Sequence, residues 1–467
     1  MRPARKDMLP PWLRPTLLVG LVLCGVGVIT DGTWGTGDTI THYLFARYAW
    51  AHPALFLDHW AKPMFTVLAS PFAQYGFVGM KVYQSVVIAA TAGLLWLIQV
   101  ELKRPMPWLP FMLLILCPDV IMASQSGLTE PTFGLVLGFG VFLLVRGQRV
   151  AGALVLSILP FCRTEGFLLL PVFALYLATN RGPRWRLLLL AAGTVALSVV
   201  YVVTGHDVRH VFTENPYAVS SLKYGSGPLT HFVVHLLYVL GLPVYVLFWL
   251  GLLAMGRDIG AQWRTTLLFA GPVIVFIGAH SVFWWLGLFG SAGLSRVLIS
   301  IAPLCALMAS EALIALREMI DKRWEGRGRW AVAAVAAYVI IFPFTPNHAA
   351  LRLSEFTLTP LQERIVQANT ALAREGLGNR PVIGSEPYWW IVTDTDPFAE
   401  YGDRMRPFAQ SEFKQGEIVA WDNWLGPINA GISYQSLVDD SQLRPIAIYG
   451  DGSGRPMLAI FEVQGPQ

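Results

Sequence analysis

Residues 77–100 read FVGMKVYQSVVIAATAGLLWLIQV, with a single charged side chain, Lys81. At 1.5 Å per residue such a helix reaches roughly 36 Å, more than the ~30 Å hydrocarbon core of a bilayer. Comparable apolar runs occupy 16–30, 232–255 and 265–290. Over the whole 467-residue chain 54% of residues are hydrophobic, only 14% are charged and the mean hydropathy is +0.52. An average soluble domain carries about 25% charge. Amount and arrangement together define a polytopic, α-helical integral membrane protein.

The charge balance, 34 Lys and Arg against 30 Asp and Glu, leaves +4, spread over short loops. No basic surface for nucleic acid follows from it. Cys24, Cys117, Cys162 and Cys305 all sit in apolar runs and read as small buried hydrophobes. Their spacing forms neither a disulfide framework nor a metal motif. Arg2, Arg5, Lys6 and Arg14 precede the first apolar run, and no small-x-small site ends it, so it reads as an uncleaved span.

Basic clusters between the runs set the orientation. They fall at Arg2–Arg14, Lys103-Arg104, Arg146–Arg149, Arg181–Arg186, Arg257–Arg264 and Arg317–Arg329. The positive-inside rule places all of them in the cytoplasm. About eleven helices satisfy it: 12–30, 77–100, 108–123, 130–145, 150–162, 167–179, 186–204, 232–255, 265–289, 293–316 and 330–344. The N-terminus is then inside and the C-terminus outside. Arg163-Thr164-Glu165-Gly166 separates two short spans, and 64–75 is apolar but too short to cross, hence interfacial or re-entrant. The outer face receives loop 31–76, 124–129, 163–166, 205–231, the turn near 290–295 and everything after 345. The membrane domain is expected over 1–345 and a small external α/β domain over 346–467. In the latter, Thr359-Pro360-Leu361-Gln362 predicts a capping box opening a helix with Leu361, Ile365, Ala368 and Leu372 on one face. Strand-like runs follow at 381–384, 388–393, 417–421, 445–449 and 457–463.

Polar residues on that outer side are the candidates for chemistry. Asp38 follows Gly37 in the long first loop, near His42 and ahead of Asp58 and Lys62-Pro63. Its carboxylate can take a proton from an acceptor, or it can cap the helix beginning at Thr39. Asp31 and Asp58 are rival acids. Lys62 runs against the charge bias of its face; it can snorkel or hold a phosphate. Glu130 in Leu128-Thr129-Glu130-Pro131 sits where a helix N-terminus favours an anion. Arg163 and Glu165 are charges inside an apolar region, which are functional candidates by default. Arg296 after Ser295 is a further anion ligand. Loop 205–231 adds His206, Asp207, Arg209, His210, Glu214, Tyr217 and Lys223, a mixed polar set that reads as solvated; His206, Asp207 and His210 can also be weighed as metal ligands. Tyr388-Trp389-Trp390 and Trp421-Asp422-Asn423-Trp424 can stack on sugars, anchor to headgroups or pack a core.

In order and sidedness these pieces resemble the GT-C superfamily of membrane glycosyltransferases, in the branch of protein O-mannosyltransferases and aminoarabinose transferases. The matching segments are Gly37-Asp38, Lys62-Pro63, Leu128-Thr129-Glu130-Pro131, Arg163-Thr164-Glu165-Gly166 and Ser295-Arg296, over roughly residues 10–345. Thr39 stands where many relatives have a second acid, and Val297 where many have Tyr. The resemblance implies a polyprenyl-phosphate-linked sugar donor, a hexose such as mannose, and a lipid, glycan or protein acceptor. It implies inverting transfer with Asp38 as general base. Lys62, Arg163 and Arg296 hold the donor phosphate, supported by His42, Asp58, Glu130 and Glu165. No cofactor is specified, and a divalent metal stays open. A transporter, flippase or polymerase of lipid-linked sugars is the alternative.

Overall fold

The computed structural model describes residues 9–180, 182–214, 224–257, 259–399, 405–408 and 413–464. Arg2, Arg5, Lys6, Arg181, Tyr217 and Lys223 lie outside these residues. The first helix, α1 (Leu13–Ile29), ends at extended Thr30. Lys81, the one charge in the opening stretch, donates from Nζ to the Thr30 carbonyl at 2.6 Å. A cation at a helix C-terminus answers both an orphan carbonyl and the dipole, which is why α4 (Gly76–Glu101) tolerates it. The loop between them is itself helical: α2 (Asp38–Tyr48), a 3-10 turn at Pro53–Leu57, and α3 (Pro63–Ala73).

Next come α5 (Leu109–Ile115), α6 (Pro118–Ala123), α7 (Glu130–Val145), α8 (Arg149–Leu156), α9 (Leu159–Cys162) and α10 (Gly166–Ala178). After them run α11 (Ala192–Val203), α12 (His210–Thr213), α13 (His231–Leu240), α14 (Leu242–Arg257), α15 (Ile259–Leu286), α16 (Ala302–Arg323) and α17 (Gly328–Ile341). The helices follow the expected runs with three internal breaks. Segment 108–123 divides at extended Cys117, before Pro118. Segment 150–162 divides before Pro160. Segment 232–255 is two helices, because Gly241 is left-handed (φ +72) and Pro243 withholds an N–H in the next turn. Helix α16 is the centre of the bundle: every residue from Ala302 to Ile314 is buried. Among the described residues, four helical stretches are long and apolar enough to cross a membrane: Gly76–Glu101, Arg184–Val203, Gln262–Leu286 and Ser295–Arg323. Val195, Val199 and Val203 on α11 lie exposed, as a lipid-facing surface requires.

The C-terminal part is a small α/β unit. Helix α18 (Pro360–Arg374) opens with the expected capping box: Thr359 Oγ1 accepts from the Gln362 N–H and Gln362 Oε1 accepts from the Thr359 N–H. Strands β1 (Val382–Gly384), β2 (Met405–Pro407), β3 (Ile418–Asp422), β4 (Leu443–Gly450) and β5 (Pro456–Val463) form one sheet in the order β2-β1-β3-β5-β4. Strand β1 is parallel to β2 and β3, while β5 is antiparallel to β3 and β4. The strand expected at 388–393 is instead α19 (Tyr388–Thr393). A parallel β1–β2 pair needs a crossover, and the aromatic run supplies its buried helix. The short helix α20 (Tyr434–Val438) precedes β4. This unit is not an independent body. One apolar cluster runs from Ile40, Tyr43 and Leu44 on α2 through Phe65 on α3 and Tyr83 on α4 to Ile365, Trp389 and Ile460.

Helices α14 and α16 cross at Gly251, where an added Cβ would lie 1.8 Å from the Met308 carbonyl oxygen. Gly251→Ala is expected to cost about 1–3 kcal/mol by overpacking. Gly256→Ala, on the same helix with open space beside it, is expected to be near neutral. Thermal unfolding of the two variants in detergent checks the contrast.

Candidate active site

Helix α2 starts without a side-chain cap, since Gly37 occupies that position at φ +59. Asp38 is its first residue, and its Oδ2 pairs with Arg296 Nη2 instead of capping. Arg296 belongs to the 3-10 segment Ser295–Ile301 that leads into α16. Its Nε lies 3.9 Å from Glu130 Oε1, on the first turn of α7. Glu130 Oε1 also takes Arg163 Nη1 at 2.7 Å, and Arg163 Nη2 reaches Glu165 Oε1 at 2.8 Å. His280 Nε2, from α15, stands 3.4 Å from the same Glu165 oxygen. The result is one chain of alternating charge from Asp38 to Glu165, with His280 beside its end, drawn from five separate segments.

Arg163 can reach both acids because it is extended (φ −158, ψ 140) between α9 and α10. Gly166 must follow, since a Cβ there would fall 2.4 Å from the Leu159 carbonyl carbon. Lys62 joins from the other side. It is 3% exposed, and its Nζ donates to the His59 carbonyl at 2.6 Å and to Thr164 Oγ1 at 2.9 Å. Its backbone is left-handed (φ +69) just before Pro63, which excludes the ordinary helical alternative and turns the side chain under the loop. Burial lowers its ammonium to about 8, against the pull of Glu165. His42 is buried and stacked on Trp60 at 4.4 Å between centroids, and burial lowers its imidazole to about 3. It is therefore neutral at neutral pH.

Asp38, His42, Lys62, Glu130, Arg163, Glu165 and Arg296 all line one cavity of about 440 Å3. Its lining is also aromatic, with Phe161, Phe167, Phe212, Phe232 and Phe283 among the residues. A cavity lined by both cations and aromatic rings suits an amphiphile with an anionic head. A second cavity of about 230 Å3 touches Arg296 from another side and is lined by Trp34, Gly35 and Glu355.

Asp58 is elsewhere. Its Oδ1 accepts from the Ala61 N–H at 2.7 Å, a turn role, and it does not line the cavity. Asp31 is exposed. Among the described residues no group of His, Cys, Asp or Glu is arranged to hold a metal. His210 pairs with Glu214, and Asp207 accepts from the Arg209 N–H. Trp389, Trp390 and Trp421 are buried in the C-terminal cores, leaving Trp424 exposed at 59%. His280, Thr164 and Trp60 also line the cavity, beyond the residues expected from sequence. His280 had a signal, a titratable side chain in the middle of an apolar run; the other two had none.

A helical bundle this apolar, with a charge cluster beneath a folded first loop and an α/β unit seated on that loop, recurs among solved structures. The comparison with solved structures shows that fold. ArnT from Cupriavidus metallidurans bound to undecaprenyl phosphate superposes with a TM-score of 0.66 at 13% identity, covering 98% of this chain and 99% of that one. The same protein in its apo state gives 0.63 at 13% identity and the same coverage. No family model and no curated protein sequence matches the chain.

Glu130 is 2% exposed and is shared by two arginines. Glu130→Ala is expected to lower stability by about 1–3 kcal/mol, because Arg163 and Arg296 each lose one of two counter-ions. Thermal unfolding in detergent measures this; an unchanged midpoint would remove Glu130 from the centre of the cluster.

Proposed function

We propose that this protein is an inverting glycosyltransferase that moves a sugar from a polyprenyl-phosphate carrier to an acceptor at the external face of the membrane. The observation that carries the reading is the Asp38–Arg296 pair in the lining of a cavity that also holds aromatic rings. A GT-C fold whose solved counterpart is bound to undecaprenyl phosphate adds to it. In this reading about eleven spans place the N-terminus in the cytoplasm, and residues 346–467 form the external domain of a bacterial-type inner-membrane protein. The sugar is a hexose such as mannose, or a relative of it.

Without ligand the cations Lys62, Arg163 and Arg296 balance the anions Asp38, Glu130 and Glu165. An incoming phosphate adds negative charge and competes with Asp38 for Arg296. Asp38 is the exposed member of that pair, at 46% against 22%, so it is the one released. The free carboxylate then takes the proton of the acceptor hydroxyl or amine, and the acceptor heteroatom bonds to the anomeric carbon. The bond from that carbon to the phosphate oxygen breaks, and the phosphate leaves with the electron pair. Lys62 and Arg296 stabilise the charge that grows on it. Arg163, held by Glu130 and Glu165, keeps the field around the site fixed. The acceptor approaches through the second cavity, past Trp34 and Glu355, which shares Arg296 with the first.

With purified protein and labelled polyprenyl-phosphate sugars, Asp38→Asn is expected to lower transfer about 10²- to 10⁴-fold while donor binding persists. Full activity in that variant overturns the role of Asp38. Donor affinity is expected to fall as pH rises above about 8, where buried Lys62 loses its charge in the free protein. The sign follows from the ammonium being the form that binds phosphate. Titrating undecaprenyl phosphate at several pH values checks it, and Lys62→Arg is expected to flatten the dependence, because a guanidinium stays charged.

A further inference from the structure

The C-terminal unit grips α2 at both ends. At the start, the Gly32 N–H donates to the Phe356 carbonyl at 3.0 Å, and a Cβ on Gly32 would fall 2.5 Å from the Glu355 carbonyl oxygen. Gln362 Nε2 donates to Thr33 Oγ1 at 2.8 Å. Thr36 Oγ1 donates to Glu386 Oε1, two residues before Asp38. At the other end, Arg47 Nη2 pairs with Asp394 at 3.0 Å, and His52 Nε2 lies 2.7 Å from Asp396 Oδ2. Phe45 packs edge-on against Phe398. Between Thr33 and Asp38 the chain passes Gly35 (φ +92) and Gly37 (φ +59), so its own backbone offers little rigidity.

Glu386 is fully buried, and its Oε1 also accepts from the Tyr388 N–H at 3.2 Å. It lies just beyond the carboxyl end of β1, on the turn into α19, and is therefore set by the sheet rather than by the membrane helices. A buried acid at a contact between two parts of a chain needs a reason to be there. Its location against Thr36 supplies one.

We infer that Glu386 is a positioning residue: through Thr36 it fixes the glycine-flanked turn that aims Asp38, so the C-terminal unit is a working part of the active site. This rests on the reading of Asp38 as general base. The carboxyl reaches Asp38 through Thr36 and the turn, and it does not line the cavity. Burial pushes it up to about 7, so an uncharged amide is a close stand-in for it.

The test compares Glu386→Ala, Glu386→Gln and Thr36→Val in the full-length protein. Glu386→Ala and Thr36→Val are each expected to speed hydrogen exchange of amides 33–40 about tenfold, as for one lost hydrogen bond. Glu386→Gln, whose carbonyl still accepts from Thr36, is expected to restore slow exchange. The double variant Thr36→Val/Glu386→Ala is expected to match the single ones, because the two side chains form one interaction. In transfer assays kcat is expected to fall roughly 10- to 100-fold for the Ala variant, with KM for the lipid donor little changed. Unaltered exchange at 33–40 in both single variants, additive effects in the double one, or a Gln variant as impaired as Ala overturns the inference. Exchange that responds as expected in a protein that transfers no sugar upholds the clamp and overturns the transferase reading instead.

Discussion

Glu130 places a carboxyl group where there is almost no solvent, and the surrounding chain is arranged around that fact. A buried carboxylate needs partners close by, or its desolvation cost outweighs what the fold gains. Arg163 supplies one at 2.7 Å and Arg296 a second at 3.9 Å. Each of those then needs its own counter-charge, which brings in Glu165 and Asp38. Positions that otherwise share nothing are therefore tied together: the break between α9 and α10, the 3-10 entry to α16 and the start of α2. The chemistry proposed for the site draws on the same ties, since a balanced cluster has to exchange one partner to admit an anion.

The apolar architecture was legible because a membrane protein writes its spans as long runs, and the physics selecting them is local. The runs at 77–100 and 130–145 correspond closely to α4 and α7. The capping box at Thr359 was equally readable, because every group in it lies within one turn. The break at Gly241 was harder to see: one glycine inside an apolar run is tolerated in many helices, and only the packing of α13 and α14 against different neighbours requires it. The aromatic run at 388–393 has the composition of a strand, yet its conformation is dictated by the parallel partner of β1, which lies further along the chain.

The site divides in the same way. Asp38, Lys62, Glu130, Arg163, Glu165 and Arg296 stood out because charge is rare in this chain and because each sat near the end of an apolar run. Asp58 was grouped with them on residue type alone; its carboxylate serves a local turn, which composition does not distinguish. His280 and Glu386 were missed for the opposite reason. Their importance lies in what faces them across the fold, Glu165 in one case and Thr36 in the other, and neither partner is near in sequence.

Asp38 and Arg296 are separated by 258 residues, and that separation has a meaning during synthesis. Chains grow at about 5–20 residues per second, so Asp38 emerges roughly 13–50 s before its partner exists. Glu130 and Arg163, only a hairpin apart, can neutralise each other soon after insertion. The acid of α2 has to wait in the half-built protein, its helix not yet held by the C-terminal unit either. Later parts of the chain thus complete the first, and a nascent chain that stops before residue 296 leaves Asp38 without its partner.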